Sequence, residues 1–316
     1  MVKIFAIIFF MFSSAAFADV FEWQREFPKA DFTKHTVPYK EILSGGVPRD
    51  GIPAIDNPKF AQASELNIKG TEPVIGLNIN GEFKAYPLRI LMFHEIINDT
   101  LGGVPITVTY CPLCNSSIVF KRNVKGRVLD FGTTGRLRNS DLVMYDRQTE
   151  TFFQQAMGIG IVGTLAGTSL EMIPSRLESF DNYVKRAGSD ALVLVPSSAR
   201  PRQYGINPYE GYDEAYPFLY KGDMPEGIEP MQRVVSVQNR SEAFRLTDLR
   251  EKGTIKASDG TVFKWTAGQN TALGNSVISK GKDIGNVTAT RDGVDVVYFV
   301  EFAFVFHAFT KGGVIK

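Results

Sequence analysis

Residues 74–86 read VIGLNINGEFKAY and contain the strongest indication of fold class in this chain. Two apolar runs flank Asn80-Gly81, the dipeptide that best suits the tight turn of a β-hairpin because both residues accept positive φ. We therefore predict two antiparallel strands here. Other β-branched and aromatic runs, separated by glycine and turn residues, predict further strands at 106–110, 128–131, 141–145 and 151–154.

A similar pattern recurs in the C-terminal part of the chain. The run at 234–237 with Glu242 and Leu246 repeats the run at 74–77 with Glu82 and Tyr86 at a constant offset. The repeat indicates two halves of related topology, and chance matching of two amphipathic strands is the alternative explanation. The predicted fold class is α+β and mainly β, with antiparallel strands, a few helices and two related halves in one compact unit.

One helix is predicted between the first hairpin and the next strand. Pro87 suits the first position of a helix, and apolar residues follow a helical period from Leu88 to near Gly102. On this helix His94 and Asn98 would lie one turn apart, on the same face.

Length and composition are those of a globular protein. The chain has 316 residues, of which 44% are hydrophobic, and 35 Lys and Arg balance 34 Asp and Glu to a net charge of +1. Without a basic block, the sequence predicts no nucleic-acid partner, and regular apolar runs with 12% aromatic residues argue against a disordered chain. The length suits one large domain or two modest ones.

The first 18 residues have the pattern of a secretory signal peptide. Lys3 precedes a short apolar stretch from Ile4 to Phe12, and Ala16-Phe17-Ala18 forms an A-x-A cleavage site. The apolar stretch is shorter than the roughly 20 residues that span a membrane, so we predict cleavage after Ala18. The mature protein is expected in the periplasm or outside the cell, with no transmembrane segment.

The mature chain is expected to divide into two halves joined by a long loop. Residues 19–199 form the N-terminal half, which carries the cysteines, and residues 231–316 form the C-terminal half. Residues 200–230 are crowded with Pro, Gly and Tyr and show no period, which predicts a long ordered loop between the halves.

The two cysteines of the chain, Cys111 and Cys114, form a C-x-x-C pair at the end of a predicted strand. A redox pair would use Cys111 as the nucleophile and Cys114 to resolve the mixed disulfide. A metal site would use both as thiolate ligands, and an inert disulfide is the third interpretation. A thioredoxin fold is not expected, because a β-branched and aromatic run rather than a helix follows Cys114.

Each of the three histidines is either a partner of the cysteines or a structural residue. A short crossover would bring the ring of His94 near Cys111, where it would lower the pKa of the thiol or bind a metal. The alternative is a helix histidine bonded to a backbone carbonyl. His307 lies among phenylalanines, which favours a neutral core residue, and His35 lies in a polar stretch. Further ligands for a zinc or copper ion at the cysteine pair would be His94 and His307.

Residues 132–141 concentrate hydrogen-bond donors and charges between two strands. Arg138, Asn139 and Asp141 are candidate substrate-binding residues, because such a segment binds an anionic or carboxylate group through its arginines. The alternative is a turn held by ion pairs to Asp141 and Asp146. The sequence contains no phosphate-binding loop, nucleophile elbow or H-E-x-x-H motif, so it favours neither nucleotide binding nor hydrolysis.

Six motifs carry a resemblance to a known family. They are YCPLCNS at 110–116, RNSDLVMYDRQTE at 138–150, PAIDNP at 53–58, KAYPL at 84–88, HEIIND at 94–99 and GTLAGT at 163–168. Together they resemble the family named domain of unknown function 3179, over nearly all of the mature chain. The family name assigns no activity. Some relatives carry selenocysteine in the C-x-x-C region, which implies redox chemistry at Cys111 and Cys114. Family members tend to have a tryptophan-rich stretch where this chain has residues 302–307.

The sequence therefore favours an exported thiol–disulfide redox protein, which in enzyme terms would be an oxidoreductase. It would use Cys111, Cys114 and His94 without a cofactor and act on another exported protein or a small thiol. The alternative is a metal-binding module for copper or zinc that uses the same three residues. A purely structural protein is the third interpretation.

Overall fold

The hairpin predicted at residues 74–86 is present in the structure, a computed structural model that describes residues 14–196 and 202–316. Its strands pair antiparallel, with Leu77 opposite Lys84, and Asn80 and Gly81 both adopt positive φ in the turn. The prediction of a tight asparagine-glycine turn is confirmed.

The described chain is mainly β. Its strands are β1 (Ile42–Ser44), β2 (Lys59–Gln62), β3 (Pro73–Ile79), β4 (Glu82–Pro87), β5 (Ile96–Leu101), β6 (Val104–Cys111), β7 (Ser116–Lys121), β8 (Asn123–Val124), β9 (Arg127–Val128), β10 (Phe131–Arg138), β11 (Asp141–Asp146), β12 (Phe152–Gln154), β13 (Ile159–Val162), β14 (Met172–Ile173), β15 (Arg176–Ser179), β16 (Leu192–Val195), β17 (Arg233–Val237), β18 (Glu242–Arg245), β19 (Thr254–Lys256), β20 (Val262–Thr266), β21 (Asn286–Arg291), β22 (Val294–Asp295), β23 (Tyr298–Phe302) and β24 (Val314–Ile315). Its helices are α1 (Ser14–Glu26), α2 (Leu88–His94), α3 (Phe180–Ala187), α4 (Leu246–Lys252) and α5 (Ala303–Phe309).

Five sheets of four or five strands are arranged like the blades of a five-bladed propeller. Their strand orders are β1-β10-β11-β12-β13, β14-β7-β6-β5, β15-β3-β4-β16-β2, β23-β17-β18-β24 and β19-β20-β21-β22, and β8 pairs with β9 in a separate ribbon. Neighbouring strands run antiparallel except in the pairs β4 with β16 and β18 with β24. The predicted mainly β, antiparallel α+β fold with a few helices is confirmed, and residues 14–196 and 202–316 show no thioredoxin-like arrangement.

The two halves repeat the same order of elements. In the first, β3 and β4 form a hairpin that leads into α2 and then β5; in the second, β17 and β18 lead into α4 and β19. Each helix is followed by a residue with positive φ, Glu95 (56°) after α2 and Gly253 (70°) after α4. The outer strands also match, because β15 and β16 flank the first hairpin as β23 and β24 flank the second. The topology is therefore duplicated, but the constant offset predicted from residues 74–86 and 234–246 is wrong beyond the turn. Val74 lies opposite Pro87 whereas Val234 lies opposite Arg245, so the second hairpin is two residues shorter and Glu242 does not take the place of Glu82.

The first half contains an additional segment. Between β7 and β15 it carries β8 to β14, whereas only β22 lies between β21 and β23 in the second half. Strands β10 to β13 of this segment form most of a separate sheet, which β1 joins at one edge. The additional sheet supplies residues 138–141, which the sequence analysis selected as a candidate site.

One apolar core joins the two halves. Val108 and Phe120 of the first half and Val235 and Phe299 of the second are buried in the same cluster. Burial of a side chain of this size contributes about 1.5–3 kcal/mol relative to exposure. The halves are therefore connected by packing as well as by the chain.

The predicted helix after Pro87 is shorter than expected. It ends at His94, and residues 96–101 form β5 instead of continuing to Gly102. The positive φ of Glu95 stops the helix, and the β-branched pair Ile96-Ile97 then aligns with β6, where tertiary pairing outweighs the helical period. His94 and Asn98 consequently lie on different elements.

Some expectations concern segments that the structure describes only in part. Residues 1–13 of the expected signal peptide lie outside the described residues, and α1 contains the expected cleavage site at Ala18. Of the expected loop, residues 202–230 carry one 3-10 turn, Tyr212–Glu214, and no strand. No helix in the described ranges is long and apolar enough to cross a membrane.

Candidate functional site: a buried thiol–carboxyl cluster

The two cysteines lie at the turn of the β6–β7 hairpin. Cys111 is the last residue of β6, and the 3-10 turn Pro112–Cys114 carries the second cysteine. Pro112 suits the start of this turn because its fixed φ matches the helical backbone. Asn115 then adopts a left-handed conformation, with φ 50° and ψ 33°, which returns the chain into β7. The turn therefore places both thiols at one end of the hairpin.

Asp141 lies beside both cysteines although it comes from a different sheet. It is the first residue of β11 and follows a turn in which Asn139 and Ser140 have positive φ. One ligand atom from each of Cys111, Cys114 and Asp141 lies within 4.8 Å of the others, and all three residues are buried. The Ser140 carbonyl accepts long hydrogen bonds from the two Sγ atoms, at 3.9 and 3.6 Å. We call Cys111, Cys114 and Asp141 the thiol–carboxyl cluster.

The carboxyl group of Asp141 has one satisfied and one unsatisfied oxygen. Oδ2 accepts hydrogen bonds from Nε2 of Gln154 (2.5 Å) and from the backbone N–H of Ala156 (2.9 Å). Oδ1 is buried, and no donor among the described residues meets it in good hydrogen-bond geometry, although the Cys114 thiol lies near the carboxyl group and acts to lower its pKa. Burial raises the pKa of Asp141 to about 6, although these hydrogen bonds act in the opposite direction. A buried oxygen without a partner costs free energy, so this atom is a place where a ligand would stabilise the protein.

The surroundings of the thiols favour their protonated form. Cys111 is 2% exposed and Cys114 is fully buried. Burial raises the pKa of both thiols, and the nearby charge of Asp141 adds to the effect. Arg240, whose charge acts on Asp141, is already paired with Glu301 at 2.5 Å. Reactive cysteines usually lie in electropositive and partly exposed surroundings, and this pair does not.

Glu95 is a site residue that the sequence analysis did not select. It follows α2, is 7% exposed, and lines a cavity of about 350 Å³ together with Leu113 and Leu142, the chain neighbours of Cys114 and Asp141. Burial and the charge of Asp141 raise the pKa of Glu95 to about 8. The sequence pattern contained no signal for Glu95, because the constant offset of the duplicated pattern places it opposite Ile255. The structure aligns it instead with Gly253, the residue that follows α4.

The structure does not bring His94 together with the cysteines. Its Nδ1 lies 2.7 Å from the Pro53 carbonyl oxygen and its Nε2 lies 2.8 Å from the Tyr204 hydroxyl, so both ring nitrogens have partners. Burial lowers the pKa of His94, which favours a neutral ring. The alternative interpretation, a histidine bonded to a backbone carbonyl, describes its position better. His307 is exposed on α5, so the expectation of a core histidine is wrong.

Of the three residues selected near the β10–β11 turn, only Asp141 belongs to the cluster. Arg138 pairs with Glu41, with Nη2 2.8 Å from the carboxylate, and its Nη1 donates to Oε1 of Gln154 at 3.3 Å. Because Gln154 also donates to Asp141, Arg138 positions the cluster indirectly. Asn139 is partly buried in the turn itself. Arg138 therefore forms an ion pair, as the alternative interpretation of this segment expected. Its partner is Glu41 and not Asp141 or Asp146.

Comparison with known proteins places this chain in a family. The chain matches no curated protein and no solved structure. Residues 49–312 match the family described as "Protein of unknown function (DUF3179)", and this range contains the cysteine turn, Glu95 and Asp141. Because the match covers most of the chain, the protein belongs to the DUF3179 family.

Proposed function

We propose that the protein binds a metal ion, zinc, through Cys111, Cys114 and Asp141. The observation that carries this proposal is that three potential ligand atoms lie within 4.8 Å of one another. In addition, Oδ1 of Asp141 is buried without a hydrogen bond of good geometry to the residues that the structure describes. Zn–S bonds of about 2.3 Å and Zn–O bonds of about 2.0–2.2 Å put tetrahedral ligand atoms roughly 3.5–3.8 Å apart. Small side-chain movements would bring the cluster to that geometry.

The donor set favours zinc over copper. Zinc accepts thiolates and a carboxylate in one tetrahedral site, whereas copper(I) prefers soft sulfur ligands and gains little from a carboxylate. Three protein ligands leave a fourth position for water or another small ligand, as in zinc sites that are not purely structural. His94, the ligand expected from the sequence, is replaced in this proposal by Asp141.

Binding of a cation would also remove the electrostatic cost of the cluster. Burial raises the pKa of both thiols and of Asp141, so deprotonating all three without a counter-charge is unfavourable. A divalent ion reverses this preference, because a coordinated thiol loses its proton. The proposal thus gives a reason for burying three acidic groups together.

The redox interpretation remains the second candidate, supported by the proximity of the two thiols and by the family resemblance. In an oxidising compartment such as the periplasm, which the first 18 residues predict, an unliganded pair would form a disulfide. The burial of both sulfurs and their raised pKa values argue against rapid thiol exchange. Metal content and thiol titration together separate the two functions.

The test is elemental analysis with thiol titration on the protein purified from its native compartment. We expect about one equivalent of zinc and two protected thiols, with zinc lost in Cys111→Ser and strongly reduced in Asp141→Asn. Asp146→Asn is the matched control, because Asp146 is a buried aspartate at the other end of β11 and should leave zinc in place. Metal-free protein with a disulfide that opens under mild reductant would instead support redox function. Metal-free protein with a disulfide that resists mild reductant would support the third interpretation, an inert structural disulfide.

A further inference from the structure

The cavity beside the thiol–carboxyl cluster has a mainly apolar wall and a carboxyl group, that of Glu95. Its volume of about 350 Å³ is within the range of small-molecule sites, roughly 300–1,000 Å³. Eight of its thirteen lining residues are aliphatic or aromatic, and Glu95 is its acidic residue. Two lining side chains at its rim, Val47 (38%) and Phe218 (47%), are exposed to solvent.

Most polar side chains of the cavity wall already have partners. Arg136 donates to Glu26 at 2.5 Å and to the Thr134 carbonyl at 2.7 Å. The Thr133 hydroxyl donates to the Ile52 carbonyl at 2.8 Å. These groups therefore hold the wall together and leave little capacity for a ligand.

Unlike Arg136 and Thr133, the cavity residues Glu95 and Tyr209 have side-chain oxygens without hydrogen-bond partners in the described part of the chain. Among the described residues no hydrogen-bond donor reaches the Glu95 carboxyl group, although more than nine-tenths of the residue is buried, and the Tyr209 hydroxyl likewise has no partner there. The backbone φ of Glu95 is 56°, a conformation that glycine adopts more easily, and Gly253 takes the corresponding position in the second half. The chain thus retains a glutamate where both strain and desolvation oppose it.

We propose that this cavity binds a small apolar amine, with its cationic nitrogen at Glu95 and its apolar body against Tyr209, Tyr212 and Phe218. With its pKa raised to about 8, Glu95 is mostly protonated at neutral pH without a bound cation. An ammonium group supplies a positive charge and several donors, so it stabilises the ionised form, and its binding releases the Glu95 proton. Aromatic faces attract the same cation and the apolar body that carries it. An anionic ligand would need free hydrogen-bond donors, and the donors of the wall, Arg136 and Thr133, are already bonded to other groups of the protein. This inference concerns the cavity and does not require metal in the cluster.

The test is calorimetric titration of the full chain with three probes of one shape: phenethylamine, 2-phenylethanol and 3-phenylpropionate. We expect phenethylamine to bind at least ten-fold more tightly than the alcohol and the carboxylate to bind most weakly. Glu95→Gln should remove the preference for the amine, since it keeps the size of the side chain and cannot ionise. Val47→Trp should block all three probes at the rim, and Val294→Trp, at an exposed valine on β22, is the matched control.

Repeating the titration with Cys111→Ser distinguishes this proposal from zinc binding. Amine binding that persists in Cys111→Ser supports a cavity that works without the cluster metal, whether or not the wild type holds zinc. Equal affinity for amine and alcohol in the wild type, or full amine preference in Glu95→Gln, would overturn the proposal. Failure of all three probes to bind, or unchanged binding in a folded Val47→Trp, would also overturn it.

Discussion

The two halves of the protein use the same hairpin position in different ways. In the first half, β6 and β7 are joined by the short turn that carries Cys111 and Cys114. In the second half, the matching strands β20 and β21 are joined by residues 267–285, where the Asp283 carboxylate accepts hydrogen bonds from the backbone of Gly268 and Gln269. The β6–β7 turn carries two thiols, whereas the β20–β21 connection is held by hydrogen bonds to a carboxylate. The chemically reactive groups therefore come from the connecting turn and not from the strands that the two halves share.

The second half nevertheless supports the site of the first. Glu178 and Glu301 hold matching positions, because they lie opposite Val74 and Val234 in the two sheets. Glu301 pairs with Arg240, which also donates to the Ala156 carbonyl at 3.1 Å. The backbone N–H of that same alanine donates to Asp141. An ion pair of the second half thus reaches the thiol–carboxyl cluster through one residue.

The largest expected effect tests these matching glutamates. Glu301→Gln should cost about 3–5 kcal/mol of unfolding free energy, since it leaves the charge of Arg240 buried and unpaired. Glu178→Gln should cost less, about 1–3 kcal/mol, because its partner Arg186 is 20% exposed and can be solvated. Urea unfolding followed by circular dichroism measures both.

The control for this pair is a double variant. Removing both charges with Glu301→Gln and Arg240→Met should recover part of the loss, because no unpaired charge remains. Equal losses in Glu301→Gln and Glu178→Gln would contradict the difference between the two ion pairs.

A second prediction sharpens the comparison of the two hairpin connections. Zinc at a free concentration about 100 times its dissociation constant should stabilise the wild type by about 2.7 kcal/mol. Cys111→Ser should lose this gain, whereas Thr266→Ser should keep it, because Thr266 ends β20 as Cys111 ends β6. Thermal unfolding with and without zinc measures the gain. A full gain in Cys111→Ser would mean that zinc acts outside the cluster.

Much of the fold was predictable because its signals are local. The Asn80-Gly81 turn depends on two adjacent residues, and the duplication on a pattern within residues 74–86 and 234–246. The helix after Pro87 was too long because its apolar period continues through Ile96 and Ile97. Those residues fit a strand equally well, and pairing with β6 decides between the two structures.

The site was only partly predictable because its members meet through tertiary contacts. The C-x-x-C spacing identified the thiols without help from the fold. Asp141 was selected for a different role, since nothing local shows that a turn of the additional sheet lies beside the cysteines. His94 was selected and its neighbour Glu95 was not. The helix ends between these two residues, and this end, which the sequence did not predict, decides that Glu95 lines the cavity.

The smallest expected effects concern the ends of α2 and α4, and they should have opposite signs. Gly253→Ala should cost about 1 kcal/mol, because alanine at a φ of 70° is strained. Glu95→Gly should gain up to about 1 kcal/mol, because it relieves the same strain and removes a buried carboxyl group. Urea midpoints of the two variants against the wild type measure this difference. A loss in Glu95→Gly would show that the glutamate stabilises the fold, whereas a gain accompanied by loss of amine binding would show that stability is given up at this position for the ligand.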